Sequence, residues 1–231
     1  KQVDQTYGLV IDKLQQRLYV FREGKLFTTL LCSTGFPRAD TPFAETPARE
    51  FLMVSWTGGF WAGSLFCDMG MRINSGILIH EVPCLIEKNE TTGEEVRNYA
   101  RCERYLGEKA SHGCIRVQRE KTPEGVGIKW LWDNLHRTPC TKVLIWDEIG
   151  RELGYPDDSL ELYYNPQGGK NYHSQPTCTQ VKDKYEPMTA FTYGELEEKP
   201  YSKLNRCPAC APQLRRGEVD TVNQKNTREG K

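Results

Sequence analysis

The chain has 231 residues, nine of them cysteine, and its 31 basic and 31 acidic side chains cancel. A net charge of zero excludes the basic surplus that nucleic-acid or anionic-membrane surfaces need, and no apolar run approaches the ~20 residues that span a bilayer. The length suits one large domain, or a main domain with a small appendage, and the odd cysteine count leaves at least one thiol outside any intramolecular disulfide.

The opening Lys1-Gln2-Val3-Asp4 carries no apolar leader, so an exported form would take its export segment or membrane anchor from residues upstream. Tyr7–Asp12 and Arg17–Phe21 read as strands around the polar turn Lys13–Gln16. Arg22-Glu23-Gly24-Lys25 is a hairpin turn with glycine at the strained position, and Leu26–Cys32 a third strand. Ser33–Pro47 holds three prolines and reads as a loop, Phe51–Trp56 as a strand, and Thr57–Arg72, rich in glycine and aromatics, resists assignment. Ile77–His80 is a short apolar strand ending on histidine, and 84–110 a charged, exposed excursion with one helical turn. Lys129–His136 carries Trp130, Leu131, Trp132 and Leu135 at helical spacing, with His136 on the surface, and Pro139 stops it. Lys142–Trp146 is a strand. The pattern predicts a mostly β main domain over 1–157, built as a sandwich or barrel-like core. A composition richer in Pro, Tyr, Asn and Cys predicts a small unit over 158–214, and a nearly apolar-free stretch predicts disorder over 215–231.

The hexapeptide Ser111-His112-Gly113-Cys114-Ile115-Arg116 carries the most chemistry. Cysteine attacks only as thiolate, which needs a base or positive surroundings. Gly113 allows a tight turn that aims amides at a developing oxyanion, and His80 at a strand end suits the base. With four histidines among nine cysteines a chance pairing is also expected, so residue types alone leave catalysis and a structural thiol both open.

Ile79-His80 followed by Ser111-His112-Gly113-Cys114-Ile115-Arg116 resembles the signature of the L,D-transpeptidase (YkuD-type) catalytic domain. The flanks agree: the hairpin Tyr7–Lys25, then Ser33-Thr34-Gly35, the helix around Trp130-Leu131-Trp132-Asp133-Asn134, and the strand entered through Thr138-Pro139-Cys140. The similarity covers residues ~5–148 and implies a β-sandwich of mixed sheets with one or two helices. Two departures stand out. Arg49 in Thr46-Pro47-Ala48-Arg49-Glu50-Phe51 replaces the family's glycine, and the spacer from His80 to Ser111 is long. Residues 84–108 are read as an enlarged lid, with Cys84 and Cys102 near its ends as either a pinning disulfide or two unrelated thiols.

The resemblance implies that Cys114 attacks the third-residue carbonyl of a peptidoglycan tetrapeptide stem, releases D-Ala and passes the acyl group to an amine, giving a 3→3 cross-link. His80 is the implied base, its ring oriented by the Glu81 main-chain carbonyl. Amides around His112, Gly113 and Cys114 form the oxyanion site, and His112 is a positioning group. Arg116 is read as a partner for the stem carboxylate or for a structural ion pair, and Ser111 as a hydrogen-bonding member of the turn. Catalysis needs no cofactor. The implied setting is a bacterial, secreted or periplasmic monomer that shapes the cell wall, touching no nucleic acid and reaching a membrane only through an upstream anchor. Hydrolysis of the same thioester, or non-catalytic wall binding, are the alternatives.

The small unit orders His173, Cys178 and Cys207-Pro208-Ala209-Cys210, a set that suits tetrahedral zinc and resembles small tyrosine-rich modules at the ends of some bacterial surface proteins. A disulfide from Cys178 to Cys207 or Cys210, with His173 on the surface, is the other reading. A unit this small needs one staple or the other. With Cys114 free, eight cysteines remain for four disulfides, or five once zinc takes three. Trp56, Phe60, Trp61 and Phe66 are read as sheet packing or as a substrate groove.

Overall fold

The computed structural model describes residues 2–135, 138–178, 180–207 and 209–229; the surface reading of His136 falls outside them. The chain divides into two compact units, residues 1–147 and 148–231.

In the first unit β1 (Val3–Asp12), β2 (Arg17–Arg22) and β3 (Lys25–Ser33) form successive antiparallel hairpins. Every second residue turns inward: Leu9, Ile11, Leu18, Val20, Leu30 and Cys32 are all buried. The first turn closes because the Asp12 carboxylate accepts the Leu14 and Gln15 N–H groups at 2.9 and 3.0 Å. In the second turn Glu23 and Gly24 both take left-handed backbone, φ +50° and +76°, the twist that suits a tight hairpin.

The sheet continues with β4 (Glu50–Leu52), β5 (Ser55–Ala62), β6 (Leu65–Arg72) and β7 (Leu78–Glu81). A separate hairpin, β8 (Leu85–Lys88) and β9 (Glu95–Asn98), precedes the short helix α1 (Ala100–Glu103). Then come β10 (Ile115–Val117), α2 (Ile128–Asn134) and β11 (Cys140–Trp146). Nine strands form one mixed sheet in the order β4-β11-β1-β2-β3-β10-β7-β6-β5, in which β1–β11 and β7–β10 are parallel. Ile11 and Val20 from one half share a core with Met71, Ile79 and Ile115 from the other, so the sheet folds over a single core as a sandwich does. Helix α2 closes it with buried Ile128 and Leu131, and Trp130 meets Tyr7 edge-on at 5.3 Å. The single strand predicted over 51–56 is in fact split between β4 and β5, and the unassigned stretch 57–72 is the long hairpin β5–β6.

The second unit contains β12 (Glu161–Tyr164), β13 (Asn171–His173), β14 (Thr189–Thr192) and β15 (Asn205–Arg206) in the order β14-β12-β13-β15. Each is too short to show an alternation in sequence. Leu162, Tyr172, Phe191, Tyr193 and Leu196 form its core. Disorder was expected over 215–231, but Arg216–Glu229 is helix α3. Asparagine amides dock it together with a single buried apolar side chain, Val219. The Asn223 side chain accepts the Leu153 N–H at 2.7 Å and donates to the Leu153 carbonyl at 2.9 Å, and Asn226 donates to Glu148 O at 2.8 Å. These bonds draw residues 148–157 into the second unit, so the boundary falls ten residues earlier than composition suggested.

Candidate active site

The pairing of β7 with β10 is parallel, with Ile79 opposite Ile115 and Arg116 opposite His80. Ile79 and Ile115 are fully buried on the core face. By alternation His80 and Arg116 occupy the other face, where the chain enters β10 from Cys114. Cys114 immediately precedes β10 and stands two positions from Arg116, the residue paired with His80. Parallel neighbours need a crossover, and here the long spacer is that crossover. Its root is bonded to β3 and the residue that follows it: the Gly107 N–H donates to Cys32 O at 3.0 Å, Ser33 Oγ to Tyr105 O at 2.9 Å, and the Ala110 and Ser111 N–H groups to Thr34 O at 3.0 Å. Its tip, 87–95, is exposed.

The turn before Cys114 is held from inside. Ser111 Oγ donates to Cys114 O and accepts the Gly113 N–H at 3.1 Å. Thr46, fully buried, accepts the Gly35 N–H and donates to Gly113 O, both at 2.7 Å. Gly113 has φ +117°, and a Cβ there would lie 3.1 Å from Ile77 Cδ1, so the turn admits glycine alone without strain. Because Ser111 engages the Gly113 N–H, the amides of His112 and Cys114 are the remaining candidates for an oxyanion. The His112 side chain is exposed.

His80 is 3% exposed, and its Nδ1 lies 2.6 Å from Glu81 O. A carbonyl only accepts, so Nδ1 carries the proton and Nε2 is the open acceptor. Phe60 covers the ring edge-on at 5.4 Å. Burial pushes His80 down to about 4; the Glu81 carbonyl opposes this and the Arg116 charge adds to it. Burial raises the Cys114 thiol, against a main-chain hydrogen bond from Leu78 and the charges of Arg116 and Arg72. Cys114 is nevertheless the one cysteine of the first unit that is not buried, and its Sγ lies 3.7 Å from Gly76 O. Cys32 and Cys67, by contrast, are pushed up to about 12 by burial. Among the described residues Arg116 forms no ion pair.

The Glu81 side chain has a second task that its sequence position did not announce. Its carboxylate accepts the Tyr99 hydroxyl at 2.9 Å and faces Arg97 at 3.5 Å and Arg119 at 3.8 Å, tying the crossover to β7. Burial raises its pKa against those partners. Arg119 also covers the Tyr99 ring at 3.7 Å and reaches Glu103 at 3.2 Å. The disulfide considered between Cys84 and Cys102 is absent. Neither is bridged: Cys84 Sγ approaches Phe66 O at 3.7 Å, and Cys102 is buried in α1. Of the four aromatics, Trp56 packs on Trp132 in the core and Phe60 on His80. Trp61, 60% exposed, rests on Phe66. In the second unit His173, Cys178, Cys207 and Cys210 converge, with all four ligand atoms within 4.8 Å of one another.

The YkuD family profile, described as the L,D-transpeptidase catalytic domain, matches residues 6–145. The chain belongs to this L,D-transpeptidase family. Solved structures similar to it include an L,D-transpeptidase from Mycobacterium smegmatis, 16% identical, covering 61% of this chain and 58% of that one at a TM-score of 0.41. The L,D-transpeptidase of Xylanimonas cellulosilytica is 19% identical over 62% of this chain and 61% of its own, TM-score 0.41. L,D-transpeptidase 3 of Mycobacterium tuberculosis, in complex with a faropenem-derived adduct, is 19% identical over 62% and 60%, TM-score 0.42. The chain thus spans about three fifths of the length of these relatives. No curated protein matches it. Among the described residues no helix is long and apolar enough to cross a membrane.

Proposed function

We propose that the first unit is a peptidoglycan L,D-transpeptidase working outside the cytoplasm, with Cys114 as nucleophile and His80 as base. The observation that carries this reading is the pairing itself. The single accessible thiol of the unit leads into the strand beside His80, whose Nδ1–H is committed to the Glu81 carbonyl. With the imidazole pushed down and the thiol pushed up, the resting pair is neutral, and the proton moves as the sulfur attacks.

In the first half-reaction Sγ bonds to the carbonyl carbon of the third stem residue while the thiol proton passes to His80 Nε2. The tetrahedral oxyanion rests on the His112 and Cys114 amides. The C–N bond then breaks, the imidazolium returns its proton to the departing D-Ala amine, and a thioester remains. In the second half-reaction an acceptor amine attacks the thioester, His80 takes its proton and passes it to the leaving sulfur, and a 3→3 cross-link forms. Arg116, on the face shared by His80 and Cys114 and without a carboxylate of its own among the described residues, receives the stem carboxylate. Ser111 and Gly113 hold the turn, His112 presents its amide, and the crossover 84–108 is the lid over the bound stem. The reaction uses no cofactor.

Mass spectrometry of muropeptide products tests the reading. Wild type is expected to give 3→3 dimers from a tetrapeptide donor with an amine acceptor present, Cys114→Ala none, and His80→Ala products slower by orders of magnitude. Free tripeptide as the sole product with acceptor in excess would assign a carboxypeptidase instead. Full turnover by Cys114→Ala would end the proposal.

A further inference from the structure

The geometry points to a structural zinc site in the second unit, held by His173, Cys178, Cys207 and Cys210, which the transpeptidase reaction does not use and which stands whatever the first unit does. Two opposite edges of the ligand tetrahedron are fixed: Cys178 Sγ to Cys207 Sγ is 3.8 Å, and Cys210 Sγ to His173 Nδ1 is 3.5 Å. A tetrahedral zinc with Zn–S of about 2.3 Å and Zn–N of about 2.0 Å requires S···S edges of about 3.8 Å and S···N edges of about 3.5 Å. A disulfide between Cys178 and Cys207 would need the sulfurs about 2.05 Å apart. The sulfurs thus stand at the spacing of ligands to a shared ion.

The fold supplies these ligands from three places. His173 ends β13 and Cys207 follows β15, and these two strands are parallel neighbours paired at only two positions, Asn171 with Asn205 and Tyr172 with Arg206. Both strands therefore run toward the same end, and their exits deliver a nitrogen and a sulfur side by side. Cys178 comes from the intervening segment, where its N–H donates to the Glu186 carboxylate. Cys210 returns three residues after Cys207, and its sulfur accepts the Ser174 N–H at 3.4 Å. Amide bonds to ligating sulfur and a fixed main chain at each ligand are the supports a structural metal site uses. His173, Cys178 and Cys207 are buried, and the apolar company is slight: Met188 is the one other buried side chain of this cluster. Three thiolates and an imidazole, closed and without an open position, suit zinc, whereas magnesium or calcium would ask for oxygen ligands.

The full chain, produced without chelator and kept reduced, is expected to hold about one zinc per molecule by elemental analysis. Zinc-edge X-ray absorption should fit three sulfurs near ~2.3 Å and one nitrogen near ~2.0 Å. Cys178→Ser and Cys207→Ser should each lose the metal, and Cys102→Ser, in the first unit, should keep it. Should the first two fail to fold, wild type unfolded with chelator and refolded with or without zinc decides the same question. Alkylation of Cys178, Cys207 and Cys210 should be at least tenfold slower in the zinc-refolded chain. Metal-free wild type, a Cys178–Cys207 disulfide in peptide maps of the never-reduced protein, or equal alkylation with and without zinc would each overturn the assignment.

Discussion

Replacing Thr46 with valine tests how the proposed nucleophile, Cys114, is held. The side chain is fully buried, and its hydroxyl bridges the Gly35 N–H and the Gly113 carbonyl at 2.7 Å each. Valine keeps the shape and removes the bridge, leaving a buried donor and a buried acceptor without it. Each such group costs about 1–3 kcal/mol; two of them, partly relieved by relaxation, give a loss of about 3 kcal/mol. For a chain of this size that corresponds to a fall in Tm of roughly 6–12 °C. The turn that carries Cys114 is the part released, so acylation should fall more steeply than folding alone explains. The rate of Cys114 acylation by a carbapenem, measured well below the melting transition, should drop at least tenfold. Thr46→Ser retains the hydroxyl and should stay within twofold of wild type. If valine leaves both Tm and acylation unchanged, or if serine does as much harm as valine, the bridge does not position Cys114.

Three further outcomes follow from the electrostatics and from the second unit. The Cys114 thiol is raised by burial, so its alkylation by iodoacetamide should keep rising above pH 9; a plateau near neutrality would mean a resting thiolate–imidazolium pair instead. His80 is held down to about 4 against about 6.5 when unfolded. The stability this contributes is whole above pH 6.5 and is lost as pH falls from about 6.5 to about 4, at up to ~1.4 kcal/mol per pH unit. His80→Gln should remove that component from the pH dependence of urea unfolding, and identical curves for the two proteins would contradict the burial argument. The Arg215 guanidinium donates to the carbonyls of Leu196, Tyr201 and Leu204 at 2.7–3.0 Å and pairs with Glu197. Arg215→Ala should destabilise the second unit by about 3 kcal/mol with no change in Cys114 acylation, and hydrogen exchange at Tyr172 and Phe191 is the direct readout.

Much of the first unit was legible because its physics is periodic. Leu9, Ile11, Leu18 and Val20 alternate along a hairpin whose turns are written in Asp12 and Gly24, and Ile79-His80 announces a buried strand that ends on a polar side chain. The residues proposed for the site stand out in the sequence for another reason. Nucleophilic chemistry restricts residue type, and few local patterns put a glycine with forced backbone beside a cysteine. What the sequence did not disclose is what those residues lean on. Thr46 stands far from Gly113 in the chain, and nothing local says its hydroxyl will bridge two loops. Glu81 was noticed for its carbonyl alone, because the partners of its carboxylate, Arg97, Tyr99 and Arg119, meet it only once the crossover has folded back.

The same distinction explains α3. Disorder was inferred over 215–231 from a shortage of apolar residues, and that inference assumes a helix docks by burying a stripe. Here Val219 is the one apolar side chain of α3 that is buried, and Asn223 and Asn226 fasten the rest by giving the main chain of residues 148–153 the hydrogen bonds it would otherwise take from water. Such bonds carry no periodicity and little hydropathy, so composition counts these asparagines against structure when they supply it. Substituting both with serine should therefore detach α3 while leaving the aromatic core of the second unit intact. Substituting Val219 with alanine should matter less, the reverse of the ranking that hydropathy predicts, and limited proteolysis within 148–157 would show which ranking holds.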